Sequence, residues 1–166
     1  MLRMLLSACV VLLTACAAPA PTASPERSRA TLEDRVRAPS AADDQELQVF
    51  GLRNSAVAAL GREALRAEGE GELERAEQLL ERAMRIDARD PAILQQMAEL
   101  QLARGRFDQA ESFASRSFEL GPRVGEICQR SLRVLIIVHE RNSQWDQAHL
   151  ARDRLEDCRV APPERF

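Results

Sequence analysis

The stretch that opens at Pro91 and closes at Pro122 constrains the fold more than any other part of the chain. Leu94, Met97, Ala98 and Leu102 recur at i, i+3, i+4 and i+8, the spacing of one helix face. Phe107, Ala110, Phe113, Ala114 and Ser117 form a second stripe of the same kind. Between the stripes stands Gly105, a residue that ends a helix at low cost because it tolerates the left-handed conformation. Pro91 can open the first helix and Pro122 lies just past the second, two places where proline is accepted. Small Ala98, Ala110 and Ala114 let the two helices approach closely. The unit recurs. Thirty-four positions upstream, Gly71, Leu73, Ala76 and Ala83 stand where Gly105, Phe107, Ala110 and Ser117 stand here. Downstream, Trp145-Asp-Gln-Ala148 repeats Phe107-Asp-Gln-Ala110 at a spacing of 38. The surplus of four residues is about one helical turn and predicts a longer first helix in the third unit.

A helical hairpin repeated at about 34 residues resembles the tetratricopeptide repeat. The resemblance implies an all-α chain, a right-handed superhelix of about three helical hairpins with repeats at about 57–90, 91–124 and 125–158. Ala88 departs from it, standing where the family usually ends a repeat with proline. Ser40-Ala-Ala-Asp43 resembles a capping box, and Leu47, Phe50, Val57, Leu60 and Ala64 follow at helical spacing. They predict a long N-terminal helix over 43–69, with Leu47 and Phe50 covering the exposed end of the first repeat. The run Leu132-Arg-Val-Leu-Ile-Ile-Val138 has strand propensity on its own. Inside a helical repeat a strand has no partner, so it is assigned to a helix buried on most sides.

The first fifteen residues carry Arg3 and then an apolar run through Leu13, the layout of a secretory signal. Leu13-Thr14-Ala15-Cys16 resembles the lipobox of bacterial lipoproteins, which implies cleavage before Cys16 and acylation of that residue, palmitate included. Several acyl chains anchor far more firmly than one, at about 0.8 kcal/mol per buried methylene. Ala17 follows the cysteine where an inner-membrane retention signal commonly places Asp, so the resemblance points to the outer membrane, facing the periplasm. Pro19, Pro21, Pro25 and Pro39 then punctuate a segment rich in Ala, Ser and Thr, assigned as a disordered linker over 16–42. A repeat domain over 43–160 and a tail over 161–166 complete the layout.

Composition narrows the function. Aromatic residues make up 4% of the chain and tyrosine is absent, which suits close-packed helices with an Ala/Leu core. All 23 basic residues are arginine; with 26 acidic ones the net charge is −3, against nucleic-acid binding. His139 and His149 lie on different expected helices with no metal-ligand spacing around them. Gly69 and Gly71 are flanked by acids that repel phosphate, and no nucleophile motif occurs. The expectation is a protein without catalytic residues, cofactor or metal.

What remains is a binding scaffold for a protein or peptide of the cell envelope. In the tetratricopeptide family the first helices of successive repeats line a concave groove. Carried over position by position, the groove consists of Arg62 and Leu65 in repeat one, Gln95, Gln96, Glu99 and Leu102 in repeat two, and Gln129, Arg133 and Ile136 in repeat three. The layout of acylated cysteine, Pro/Ala linker and compact repeat domain is similar to that of the outer-membrane lipoprotein activators of bifunctional penicillin-binding proteins. That resemblance implies regulation of a peptidoglycan synthase; the alternative is a pilotin-like assembly factor for type IV pili or a secretion system. Finally, Cys9 leaves with the signal and Cys16 is acylated, so Cys128 and Cys158 are the thiols left in an oxidising compartment. Each lies fifteen positions from residue 143, the expected turn of the third hairpin, which places them side by side and predicts a disulfide.

Overall fold

In a computed structural model of the chain, residues 32, 34–37 and 54–159 are described. Residues 32 and 34–37 are helical and belong to α1. Six longer helices follow as three antiparallel hairpins: α2 (Ser55–Gly69) with α3 (Leu73–Ile86), α4 (Pro91–Ala103) with α5 (Phe107–Leu120), and α6 (Gly125–Arg141) with α7 (Trp145–Asp157). Among the described residues there is no strand.

The helix ends follow local chemistry. Asp90 caps α4 by accepting from the amides of Ala92 and Ile93, with Pro91 at the first helical position. The three hairpin turns share one device. Gly71, Gly105 and Ser143 take φ of 79°, 72° and 58°, each two residues before the second helix begins. In each turn the next amide reaches back to close the preceding helix: Glu72 to Ala67 O, Arg106 to Gln101 O and Gln144 to His139 O. The third first-helix, α6, has 17 residues against 13 for α4, the extra turn that the wider spacing requires.

Two parts of the amino-terminal expectation are corrected. Asn54 has non-helical backbone, with φ −58° and ψ 126°, and its side chain accepts from the Ala56 amide, so α2 starts at Ser55 and does not run on unbroken from residue 43. Residues 43–53, including Leu47 and Phe50, lie outside the described residues, as do the stretch expected to be a signal, Cys16 and the stretch expected to be a tail. The linker assigned to 16–42 is helical where it is described near its end. Val36 is 1% exposed there, because Leu32 and Val36 at i and i+4 give one turn an apolar side.

The packing makes an inner and an outer layer. The first helices α2, α4 and α6 pack on one another in order, whereas α3, α5 and α7 touch only first helices among these six. At the α2–α4 crossing, Gly61 allows the approach: a Cβ there would sit 3.0 Å from Ile93 Cδ1 and 3.2 Å from Gln96 Oε1. The central helix α4 divides its apolar residues between two cores. Ile93, Met97 and Leu100 join Val57, Ala64, Leu79 and Leu80 of the first hairpin. Ala98 and Leu102 join Leu132, Val134, Ile137 and Val138 of α6, together with Val36 of α1. Phe113 packs against both and links them. The β-branched run of α6 is thus a helix enclosed by α4, α5, α7 and α1, which outweighs its local strand propensity.

Candidate functional site

The inner faces of α2, α4 and α6 form the surface on which the nine groove residues were placed. The structure brings the members from repeats two and three together and leaves those from repeat one apart. Arg62 and Leu65 are exposed on α2, Leu65 by 40%. Gln96 is half-buried and its Oε1 has no hydrogen-bond partner among the described residues. Gln95, Glu99, Leu102, Gln129 and Ile136 are buried, and Arg133 is half-buried. The expectation of an open polar groove is therefore corrected over repeats two and three. Its polar side chains bond to one another and to α1.

Glu99 is the centre of this set. At 3% exposed, its carboxylate is held by the Arg130 guanidinium in a fork, Nε to Oε1 at 2.6 Å and Nη2 to Oε2 at 2.5 Å. Gln95 Nε2 donates to Oε1 at 2.9 Å and Arg37 Nε to Oε2 at 3.2 Å. Burial pushes the Glu99 carboxyl up, but Arg130, Gln95 and Arg37 outweigh it and hold the group below the usual carboxylate range. Burial likewise lowers the Arg130 guanidinium, and its bonds to Glu99 and Glu126 raise it again, above its ordinary value. The polar chain continues across the layer. Ser131 Oγ lies 2.6 Å from Gln95 Oε1 and 3.0 Å from Ser117 Oγ, and Ser117 Oγ donates to the Pro91 carbonyl at 2.7 Å.

Helix α1 lies over this surface and is fastened to all three first helices. Arg37 Nη2 donates to Glu68 of α2 at 2.9 Å while its Nε reaches Glu99 of α4. Arg35 Nη2 donates to Glu140 of α6 at 2.7 Å, a carboxylate that Arg152 of α7 also holds. These two arginines keep the Glu140 carboxyl below its ordinary range against the effect of burial. Arg133 Nη1 donates to the Val36 carbonyl at 3.1 Å, and its Nη2 to Gln129 Oε1 at 3.2 Å. Beneath, Val36 and Arg37 close on Glu99, Leu102 and Ala103 without room for a water.

Arg130, Arg35, Val36, Arg37, Glu68 and Glu140 were not among the expected groove residues. For Arg130 a signal existed: it follows Gln129, a groove position, and an arginine is the natural partner for a carboxylate forced inside. At the far end of the third hairpin, Cys128 and Cys158 form a disulfide, their Cα atoms 5.7 Å apart. His139 Nδ1 meets Gln144 Oε1 at 2.8 Å and His149 is exposed. Among the described residues no group of three His, Cys, Asp or Glu side chains is placed to hold a metal ion. Nor is any described helix long and apolar enough to cross a membrane.

An inner layer of first helices, an outer layer of second helices and a short helix laid in the inner groove define a tetratricopeptide-like, all-α protein-interaction fold. Residues 67–122 match the tetratricopeptide repeat family. Among solved structures, the chain is similar to the globular C-terminal domain of P. aeruginosa LpoP. The match has a TM-score of 0.57 and 29% identity, and covers 63% of this chain and 99% of that one. No curated protein matches the chain.

Proposed function

We propose that the protein is a non-catalytic scaffold, anchored by lipid at Cys16 in the bacterial outer membrane, that binds and regulates a peptidoglycan synthase of the penicillin-binding class. The observation that carries this reading is the similarity to nearly the whole globular C-terminal domain of P. aeruginosa LpoP. Here that fold follows an amino terminus resembling a lipoprotein signal and lipobox. Together they reproduce the layout of the lipoprotein activators the sequence resembles. A tetratricopeptide domain acts by contact, and its first-helix face is where a partner segment would seat.

The test has two arms. The full-length protein in detergent should capture a bifunctional penicillin-binding protein from envelope extracts and raise the rate of the purified synthase several-fold. Wild type should take up labelled palmitate and fractionate with outer membranes, and Cys16→Ser should do neither. Failure to bind or stimulate any synthase of the same cell overturns the synthase reading. An unlabelled wild type and a membrane-bound Cys16→Ser overturn the anchor.

A further inference from the structure

We infer that the groove over α4 and α6 is a receptor for a short helical segment in which one aliphatic side chain is flanked by two guanidinium groups. In this inference α1 is its tethered occupant, which a partner segment of the same chemistry must displace. The inference rests on the domain being a protein-binding scaffold, but not on which envelope protein it binds.

Four contacts define what the receptor recognises. The first is an apolar seat: Val36 is 1% exposed and rests against Leu102 and Ala103. The second and third are carboxylates on either side of that seat, Glu140 for Arg35 and the pair Glu68 and Glu99 for Arg37. The fourth is Arg133, whose guanidinium donates to the Val36 carbonyl, a backbone acceptor of the helical segment. Two acid positions on opposite sides of an apolar seat, with one donor for a helix carbonyl, select a basic–aliphatic–basic turn. An acidic segment would bring like charge to Glu68, Glu99 and Glu140, and a wholly apolar one would forgo the bonds that Arg35 and Arg37 make to them.

The same contacts show that α1 is a ligand of the fold and not a beam of it. Its described residues contribute one buried and one half-buried apolar side chain, Val36 and Leu32. The five residues described in it are far too few to hold a helix by their own propensity. Its pair with Glu140 lies near the surface, with the Arg35 and Glu140 side chains 46% and 25% exposed, where such pairs stabilise little, and the Arg37 side chain, 38% exposed, reaches down to the Glu68 and Glu99 carboxylates. Beneath it, the receptor is complete without it. Glu99 keeps the Arg130 fork and Gln95, and Glu140 keeps Arg152. Elements held by few buried contacts open at the lowest free energy in a fold. Occupancy by a segment of the same chain lowers the apparent affinity for any competitor in proportion to the fraction of groove left open.

The test uses the full-length protein in detergent and a fluorescent peptide with the sequence of residues 30–40. Two variants release α1 in different ways: Val36→Asp with Arg37→Glu, and Arg35→Glu with Arg37→Glu, which spares Val36. Circular dichroism confirms that each keeps the six-helix fold. Both should bind the peptide at least tenfold more tightly than wild type does. A peptide carrying the Val36→Asp and Arg37→Glu changes should bind none of the proteins. The released variants should also capture more of the envelope partner than wild type, and the added peptide should compete with it. Equal peptide affinity for wild type and for either folded variant overturns the inference. So does equal binding of the two peptides. Loss of synthase capture with peptide binding intact would instead count against the synthase reading alone.

Discussion

The inner layer is built by one repeat three times, yet its two ends are finished differently. At the repeat-one end, Arg62 and Leu65 of α2 stand in solvent, and the helix is fixed from behind by close packing through Gly61 and Ala64. Over repeats two and three the corresponding face carries Gln95, Glu99, Gln129 and Arg133, all drawn into bonds with α6, Arg130 and α1. An equivalent position in a repeat fixes where a side chain points. It does not fix whether that direction ends in water. A carboxylate such as Glu99 can face inward because a guanidinium and two further donors meet it there, and without them burial alone would force it neutral.

The largest effect that would break this contrast is removal of the buried cation. Arg130→Leu leaves Glu99 charged, 3% exposed and without its fork, and should cost about 3–5 kcal/mol of stability at neutral pH. The matching change at the open end, Arg62→Leu, should stay within about 0.5 kcal/mol. Urea unfolding of both measures the difference. Its pH dependence gives a second handle. The Glu99 carboxyl titrates below its ordinary value in wild type, so its stabilisation is present above the ordinary range, about 4.3, and is lost as pH falls through the folded value. In Arg130→Leu the same carboxyl is pushed upward, and protonation relieves the variant. The gap between wild type and Arg130→Leu should therefore be widest near pH 7 and shrink on acidification, while that for Arg62→Leu stays flat. A gap independent of pH would show that Glu99 is not the cause.

The third hairpin sharpens the comparison at its other end. The Cys128–Cys158 bond closes a loop of 30 residues on a terminal hairpin, which among the described hairpins has a neighbour on one side only. Opening such a loop should cost about 3.5 kcal/mol in the chain-entropy model. Cys128→Ser with Cys158→Ser should lower the unfolding midpoint, with the earliest loss of hydrogen-exchange protection in α6 and α7. Titration of denatured, unreduced wild type should find neither of these two thiols free. Two reactive thiols, or a loss of protection that begins in α2, would contradict this.

Much of the framework could be read from the residues. Gly105, its counterpart Gly71 and the apolar stripes mark the first two hairpins. The 38-residue spacing of Trp145 to Phe107 announces the extra turn of α6. The equal distance of Cys128 and Cys158 from residue 143 follows from antiparallel geometry, and the chain does turn at 142–144. The covered half of the site could not be read in the same way. Leu32 and Val36 make a single i, i+4 pair, too brief for a periodic signal, and proline-punctuated sequence on both sides reads as linker. Without α1 in place, Glu99, Arg133 and Leu102 look like an open polar groove.

The smallest predicted effect lies in the turns, where the third hairpin departs from the other two. Gly71 and Gly105 take positive φ at no steric cost, but Ser143 holds φ 58° in the same position. A side chain in the left-handed region costs about 1–2 kcal/mol through the contact of Cβ with the following carbonyl. Ser143→Gly removes that cost and keeps the backbone bonds of Ser143 to Glu140 O and Gln144 to His139 O, because neither involves the side chain. Glycine also loosens the unfolded chain, which returns about 0.4–1 kcal/mol of the gain. The balance should be a stabilisation of roughly 0.5–1 kcal/mol, seen as a rise of a few degrees in Tm. Gly105→Ser, placing serine in the turn that glycine now serves, should lower Tm by a similar amount. If the two substitutions moved Tm in the same direction, the three turns would not be equivalent and the third hairpin would close by a different balance of forces.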